Sequence, residues 1–476
     1  MTRTSSAFAA LALCATVFCL RADGVIGGSG RAMLALLVAL IVLVIAVTAA
    51  AALRLLPGWR WVLASPLAIA AATWVALFVV RPVELFYYPG ETITPLLQLG
   101  YDVGDLCRTV AIAGVGCAAW SAGFLAALVA LRSRAREIPP LEPLRLRRRA
   151  PWVVLAIGAF LASVLFMRQG GFSALINAPG SLHTNQGSGF YGQLGIWMLE
   201  GVALYSFAAV VQGGRVAREA KWLLAVGAPL AVTSTLALGS RGFIAFGLVA
   251  AVAIYLRLRK PSPRTVVVSI AVAVLLGAAL EFTAVVRTNA ASTDLGTAIE
   301  QSAETPITFF QTADLSAFDD FVTMQQLVPS SISYLHGESL IQIPAALAPR
   351  TLWPGKPQPL DNEVTAYLYP GATAGTPITL QGELYWNFDL PGVALGALVM
   401  GALMGSSMLL LFRRDVLSLL LYAVLYASVF ALLTRAIGTM TANTAIALVG
   451  VGIAAIAVGS DPRRALVAPF RRSALE

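Results

Sequence analysis

Residues 32–53 read AMLALLVALIVLVIAVTAAAAL, a run without a single charge and with one hydroxyl, Thr48. A helix rises 1.5 Å per residue, so a run of about 20 apolar residues crosses the hydrocarbon core of a bilayer. Further apolar runs follow the same pattern near 5–20, 61–80, 105–131, 151–167, 191–211, 222–238, 243–256, 265–286, 390–412, 416–434 and 437–458. The expected fold is therefore all-α, a polytopic transmembrane helical bundle of about 12 spans. Residues 1–286 would hold the first nine spans, 287–389 a large helical extracytoplasmic loop, and 390–476 the last three spans with a cytoplasmic tail.

Composition agrees. Hydrophobic residues make up 58% of the 476 and charged residues only 12%, against about 25% charged in a soluble domain. So little polar surface cannot coat a water-soluble globule. The formal charge of +9 would suit nucleic acid, but the basic residues sit in short loops between apolar runs, which is the membrane pattern. The cysteines Cys14, Cys19, Cys107 and Cys117 lie in or beside apolar runs and show neither a disulfide framework nor a metal-ligand spacing.

Loop charge sets the expected orientation. With the N-terminus inside and spans alternating, 23 of the 33 basic residues fall in the inner segments, and both termini lie in the cytoplasm. Residues 132–150 alone carry seven arginines. Arg3 before a short apolar run resembles a signal peptide, but Leu20-Arg21-Ala22-Asp23-Gly24 offers no good cleavage site, so 5–20 is kept as a span.

The segment 287–389 is too long for a structureless connection and has its own patterning. Phe309, Phe310, Phe318 and Phe321 recur near helical spacing, so 306–328 reads as an amphipathic helix able to lie on the bilayer surface. Leu340 to Leu347 reads as another short helix, and Trp353-Pro354-Gly355-Lys356-Pro357 as an extended or turning stretch.

Candidate chemistry sits on the same side. Arg241, Arg287, Arg350, Lys356 and Arg435 are basic residues where the topology rule disfavours them. Arg241 lies in Gly239-Ser240-Arg241-Gly242, a tight turn that presents a guanidinium at the bundle edge, where the phosphates of a lipid-linked substrate would lie. A planar, permanently charged fork suits phosphate oxygens. The same loop offers Asp319, Asp320, Glu338, Asp361, Glu363, Glu383 and His336 as possible bases for a sugar hydroxyl. Its aromatics Tyr334, Trp353, Tyr367, Tyr369, Tyr385 and Trp386 can stack on sugar rings or form an interfacial belt.

Three stretches carry a resemblance: Gly-Ser-Arg-Gly at 239–242, Ala-Pro-Arg-Thr-Leu-Trp-Pro-Gly-Lys-Pro at 348–357, and Gly-Glu-Leu-Tyr-Trp-Asn-Phe at 382–388. With Tyr334-Leu335-His336-Gly337-Glu338-Ser339 between them, residues 230–410 resemble the Wzy-type oligosaccharide repeat-unit polymerases, often called O-antigen polymerases. The resemblance implies a bacterial plasma-membrane glycosyltransferase. Such an enzyme moves a growing glycan from undecaprenyl pyrophosphate to a new lipid-linked repeat unit at the outer membrane face. It needs no cofactor and no metal, and its partners are lipid-linked oligosaccharides, the bilayer and a chain-length regulator rather than nucleic acid. Arg241, Arg287 and Arg350, with Arg435 and Lys356, would hold the pyrophosphate, and Asp319 or Glu383 would be the base. The family pattern has no fixed histidine to align with His336. An O-antigen ligase shares the plan and commonly relies on a loop histidine, which His336 could supply. A transporter or flippase of lipid-linked oligosaccharides would instead need charges within spans, where Glu200 and Glu281 are the main acids.

Overall fold

The computed structural model describes residues 2–27, 30–90, 94–136, 138–168, 189–214, 216–237, 241–262, 264, 316–348, 353–369 and 375–459. Among these, regular structure is helical throughout, with no strand. Nine of the described helices are long and apolar enough to cross a bilayer: Ser5–Ala22, Arg31–Leu55, Pro66–Tyr87, Val103–Ala130, Ala150–Arg168, Phe190–Gln212, Leu380–Leu411, Val416–Thr434 and Ile437–Val458. This is the make-up of a multi-pass membrane protein.

The outward faces support it. The helix Ala150–Arg168 buries Val154, Leu155, Gly158, Ala162 and Leu165. Its other face exposes Trp152, Val153, Ile157, Phe160, Val164 and Met167. A surface helix in water is polar on its outer face; this one is apolar all round, as a helix bathed in lipid must be.

Two more of the twelve expected spans are helical but do not meet that standard over their described residues. Residues 222–238 belong to the helix Val216–Ala237, which carries Arg218, Glu219 and Lys221 in its first turns, and 243–256 to Arg241–Leu258, whose fully described part, Ile244–Leu258, is apolar. The expected span 265–286 lies outside the described residues. The third span starts at Pro66 rather than 61, because proline fixes the first helical turn. It continues past the expected edge at 80, through a π-helical stretch at Val75–Val80, to Tyr87.

The chain divides into two compact units. The first comprises Met1–Glu137, Phe310–Leu409 and Ser428–Ala442. Its centre is Val103–Ala130, opened by a capping box in which Asp102 and Asp105 accept each other's backbone N–H at 2.9 and 3.0 Å. Thr2–Ala22 and Arg31–Leu55 pack against it, with the Phe18 ring seated on Gly114. Leu380–Leu411 crosses it at Gly123 and Gly401, where any Cβ would collide with the carbonyls of Leu398 and Trp120. Small residues at such crossings let backbones approach, and dispersion then holds the helices.

The second unit comprises Ile138–Phe309, Leu410–Ala427 and Asn443–Glu476. Gly189–Gln212 packs there on Ala150–Arg168, Val216–Ala237 and Arg241–Leu258, with Gly158 and Gly195 back to back. Residues 138–149 strap helix C-termini together. Glu142 N–H donates to Arg414 O at 2.8 Å and Arg147 N–H to Val458 O at 2.8 Å, while Arg257 donates to Leu411 O at 3.0 Å and Pro139 O at 2.6 Å. Segments that loop charge assigns to one side of the membrane thus meet at one end of this unit.

Candidate functional site

In the first unit, helix ends from distant parts of the chain come together. Arg21, closing the first helix, reaches Gly104 O at 3.4 Å, and the Arg31 guanidinium lies 5.4 Å from the Phe86 ring centre. The helix Ser316–Leu327 packs against Thr94–Leu99, Val103–Ala130 and Val75–Val80, and the polar residues 328–348, 353–369 and 375–389 belong to the same unit.

Ser316–Leu327 was expected as part of a surface helix. It is instead buried on every side from Ala317 to Gln325, so its phenylalanines and acids face protein rather than lipid. The acids are provided for. Asp319 is fully buried and accepts from Arg81 Nε at 2.9 Å and Nη2 at 2.7 Å, a two-pronged pair, while Arg81 Nη1 reaches Glu84 at 2.7 Å. Asp320 is equally buried; its Oδ1 accepts from the Tyr369 hydroxyl at 3.2 Å, and its Oδ2 has no partner among the described residues. Burial, and then the charge of Asp319, push the Asp320 carboxyl well above its ordinary range.

A second network surrounds Glu383. Its Oε1 accepts from Ser339 Oγ at 2.7 Å and its Oε2 from the Ile437 N–H at 2.6 Å. Asn387 Nδ2 donates to Ser339 Oγ and to Glu383 O, both at 2.8 Å, and its Oδ1 accepts from Gly337 N–H at 3.0 Å. Asp361 accepts from the Ala436 N–H at 3.2 Å. Two carboxylates thus grip the first peptide groups of Ile437–Val458, where free N–H donors and the helix dipole favour negative charge. The residue just before that grip is Arg435, half-buried and close enough to Asp361 to stabilise its charge. Burial nonetheless raises the Asp361 carboxyl.

A third corner is open. Pro391 lacks the N–H that would bond Asn387 O, and the helix breaks at Phe388 and Asp389. The freed carbonyls of Trp386 and Asn387 accept instead from Leu335 N–H at 3.0 Å and His336 N–H at 3.1 Å. Tyr334 lies 6.2 Å from the His336 ring and 6.4 Å from that of Tyr385.

The residues singled out in the sequence are distributed accordingly. Asp319 and Glu383 are buried and committed to hydrogen bonds, His336 is exposed, and Lys356 is half-buried, donating to Ala346 O at 3.1 Å and Ala348 O at 3.0 Å beyond a short helix. Glu383 and Arg435 are brought to the same turn. Arg241 opens the helix Arg241–Leu258 in the second unit; its side chain, Arg287 and Arg350 lie outside the described residues. Sequence reasoning passed over Arg81, although it follows an apolar run on the same disfavoured side as the arginines it did choose. It also passed over Asp389, and over Ser339 and Asn387, which bond to each other across 48 residues of chain.

Searches of protein-family models, curated proteins and solved structures return no match to this chain.

The arrangement is a fixed carboxylate network at the first turn of Ile437–Val458, beside Arg435.

Proposed function

We propose that this chain is a bacterial plasma-membrane glycosyltransferase that polymerises undecaprenyl-pyrophosphate-linked oligosaccharide repeat units at the extracytoplasmic face. It spans the bilayer about 12 times, with both termini cytoplasmic and 287–389 outside. One observation carries the reading beyond the sequence resemblance. The polar segments hold the buried acids Asp319, Asp320, Asp361 and Glu383, and Asp319 is paired with the buried Arg81 of the lipid-crossing helix Pro66–Tyr87. A connection between spans needs no such interior; a site for a lipid-anchored anionic substrate does. Arginines hold the pyrophosphate and neutralise it as it leaves. Arg81 is not among them: its guanidinium is taken by Asp319 and Glu84, and it positions Ser316–Leu327 instead.

The test is glycan length in cells carrying Arg241→Ala, Arg350→Ala or Arg435→Ala. Each should abolish long chains while membrane levels stay normal, and Arg→Lys should fare little better, because a point charge does not replace the fork. Normal chain length in all three would remove the anion-binding role.

Glu200 favours a second reading, transport of lipid-linked glycan. It is buried within a span and packed against Gly247, where a Cβ would lie 3.3 Å from Oε2, and among the described residues that Oε2 has no hydrogen-bond partner. Buried acids in spans mark ion or proton paths. Under that reading Glu200→Gln abolishes glycan export while purified protein makes no polymer.

A further inference from the structure

Two described residues other than glycine have positive φ, His336 at 48° and Asp389 at 57°, and both sit at the open corner. Asp389 combines that φ with ψ −153°, a region that is nearly glycine's own. Glycine would sit there without strain, yet the chain keeps a carboxylate. Asp389 Oδ1 accepts from the Leu390 N–H at 2.8 Å, and the Tyr334 side chain lies within electrostatic reach of the same carboxylate. Unlike Asp319 and Glu383, Asp389 is only half-buried, and its surroundings open outward: His336 and Phe388 are exposed. The hydrogen bonds from Leu335 and His336 to the freed helix carbonyls hold the corner in place.

We infer that Asp389 is the base that accepts the proton of the acceptor sugar hydroxyl, with the Leu390 N–H orienting its carboxylate and His336 and Phe388 flanking the acceptor ring. The inference rests on the glycan-transfer reading and names a base for it. The acceptor oxygen bonds to the donor's anomeric carbon as its proton passes to Asp389. The bond from that carbon to the pyrophosphate oxygen breaks, and the electron pair leaves with the pyrophosphate. Asp389 then releases the proton to water.

The experiment uses purified full-length protein in lipid nanodiscs with undecaprenyl-pyrophosphate-linked repeat units, comparing wild type, Asp389→Gly and Asp389→Asn. Glycine relieves the backbone, so Asp389→Gly should melt at the wild-type temperature or above. Its kcat should nevertheless fall about 10²–10⁴-fold, the usual worth of a general base, with KM nearly unchanged. Asp389→Asn, which keeps the shape, should lose the same. Near wild-type kcat in either folded variant overturns the assignment, as does a loss in Asp389→Asn that follows a lower melting temperature. If wild type itself forms no product, the transfer reading fails, and this inference with it.

Discussion

At the scale of single residues, the buried ion pair is the sharpest feature. Taking Arg81 and Asp319 out of water is costly, and their mutual attraction offsets that only because the geometry is two-pronged. Removing one partner strands the other. Arg81→Ala should lower stability by about 3–5 kcal/mol, read from thermal unfolding in detergent, whereas adding Asp319→Ala should recover part of the loss. Additive losses would mean the two side chains do not depend on each other. Asp320 gives a pH signature of definite sign. Its folded-state pKa is raised, so the neutral acid is the form the fold prefers. Its contribution to stability is complete below the unfolded value near ~3.9 and is lost as pH rises through the folded value. Asp320→Asn should therefore flatten the decline in melting temperature toward alkaline pH; an unchanged slope would assign the decline elsewhere. Little of this was legible in the sequence. Asp319 and Asp320 were visible as acids near helical spacing with phenylalanines, but nothing in a linear pattern says that Arg81, 238 residues away, is the partner of the first.

Helices were more legible than contacts. Apolar runs predicted all nine described helices that are long and apolar enough to span, because lipid demands length and apolarity from each one separately. Boundaries moved where local backbone chemistry intervened: Pro66 delayed one start, and Pro391 interrupted a helix that begins at Leu380, ten residues before the expected edge. The largest departure was Ser316–Leu327. Its phenylalanine spacing suggested one greasy face, while the structure buries both faces, a distinction that requires knowing what packs on the polar side. Helix crossings yield a prediction of their own. Gly401→Leu should disrupt the contact with Trp120 and lower stability by at least about 1–3 kcal/mol. Gly438→Ala, where a Cβ meets nothing within 4 Å, should stabilise slightly or do nothing. Equal behaviour of the two variants in a detergent-melting assay would contradict the close crossing.

For the whole molecule, the membrane character is plain from composition, while sidedness rests on loop charge and the proposed transfer activity on resemblance together with the buried acids of the polar segments. Sidedness has a direct check. In a cysteine-free background, Ser330→Cys should react with an impermeant maleimide in spheroplasts, and Ser133→Cys only after permeabilisation; the reverse pattern would invert the topology. Activity has a more decisive one. Wild-type protein reconstituted in nanodiscs, where no ion gradient exists, should convert lipid-linked repeat units into a ladder of longer lipid-linked glycans. If the repeat units remain unextended while the protein is folded, the polymerase account is contradicted.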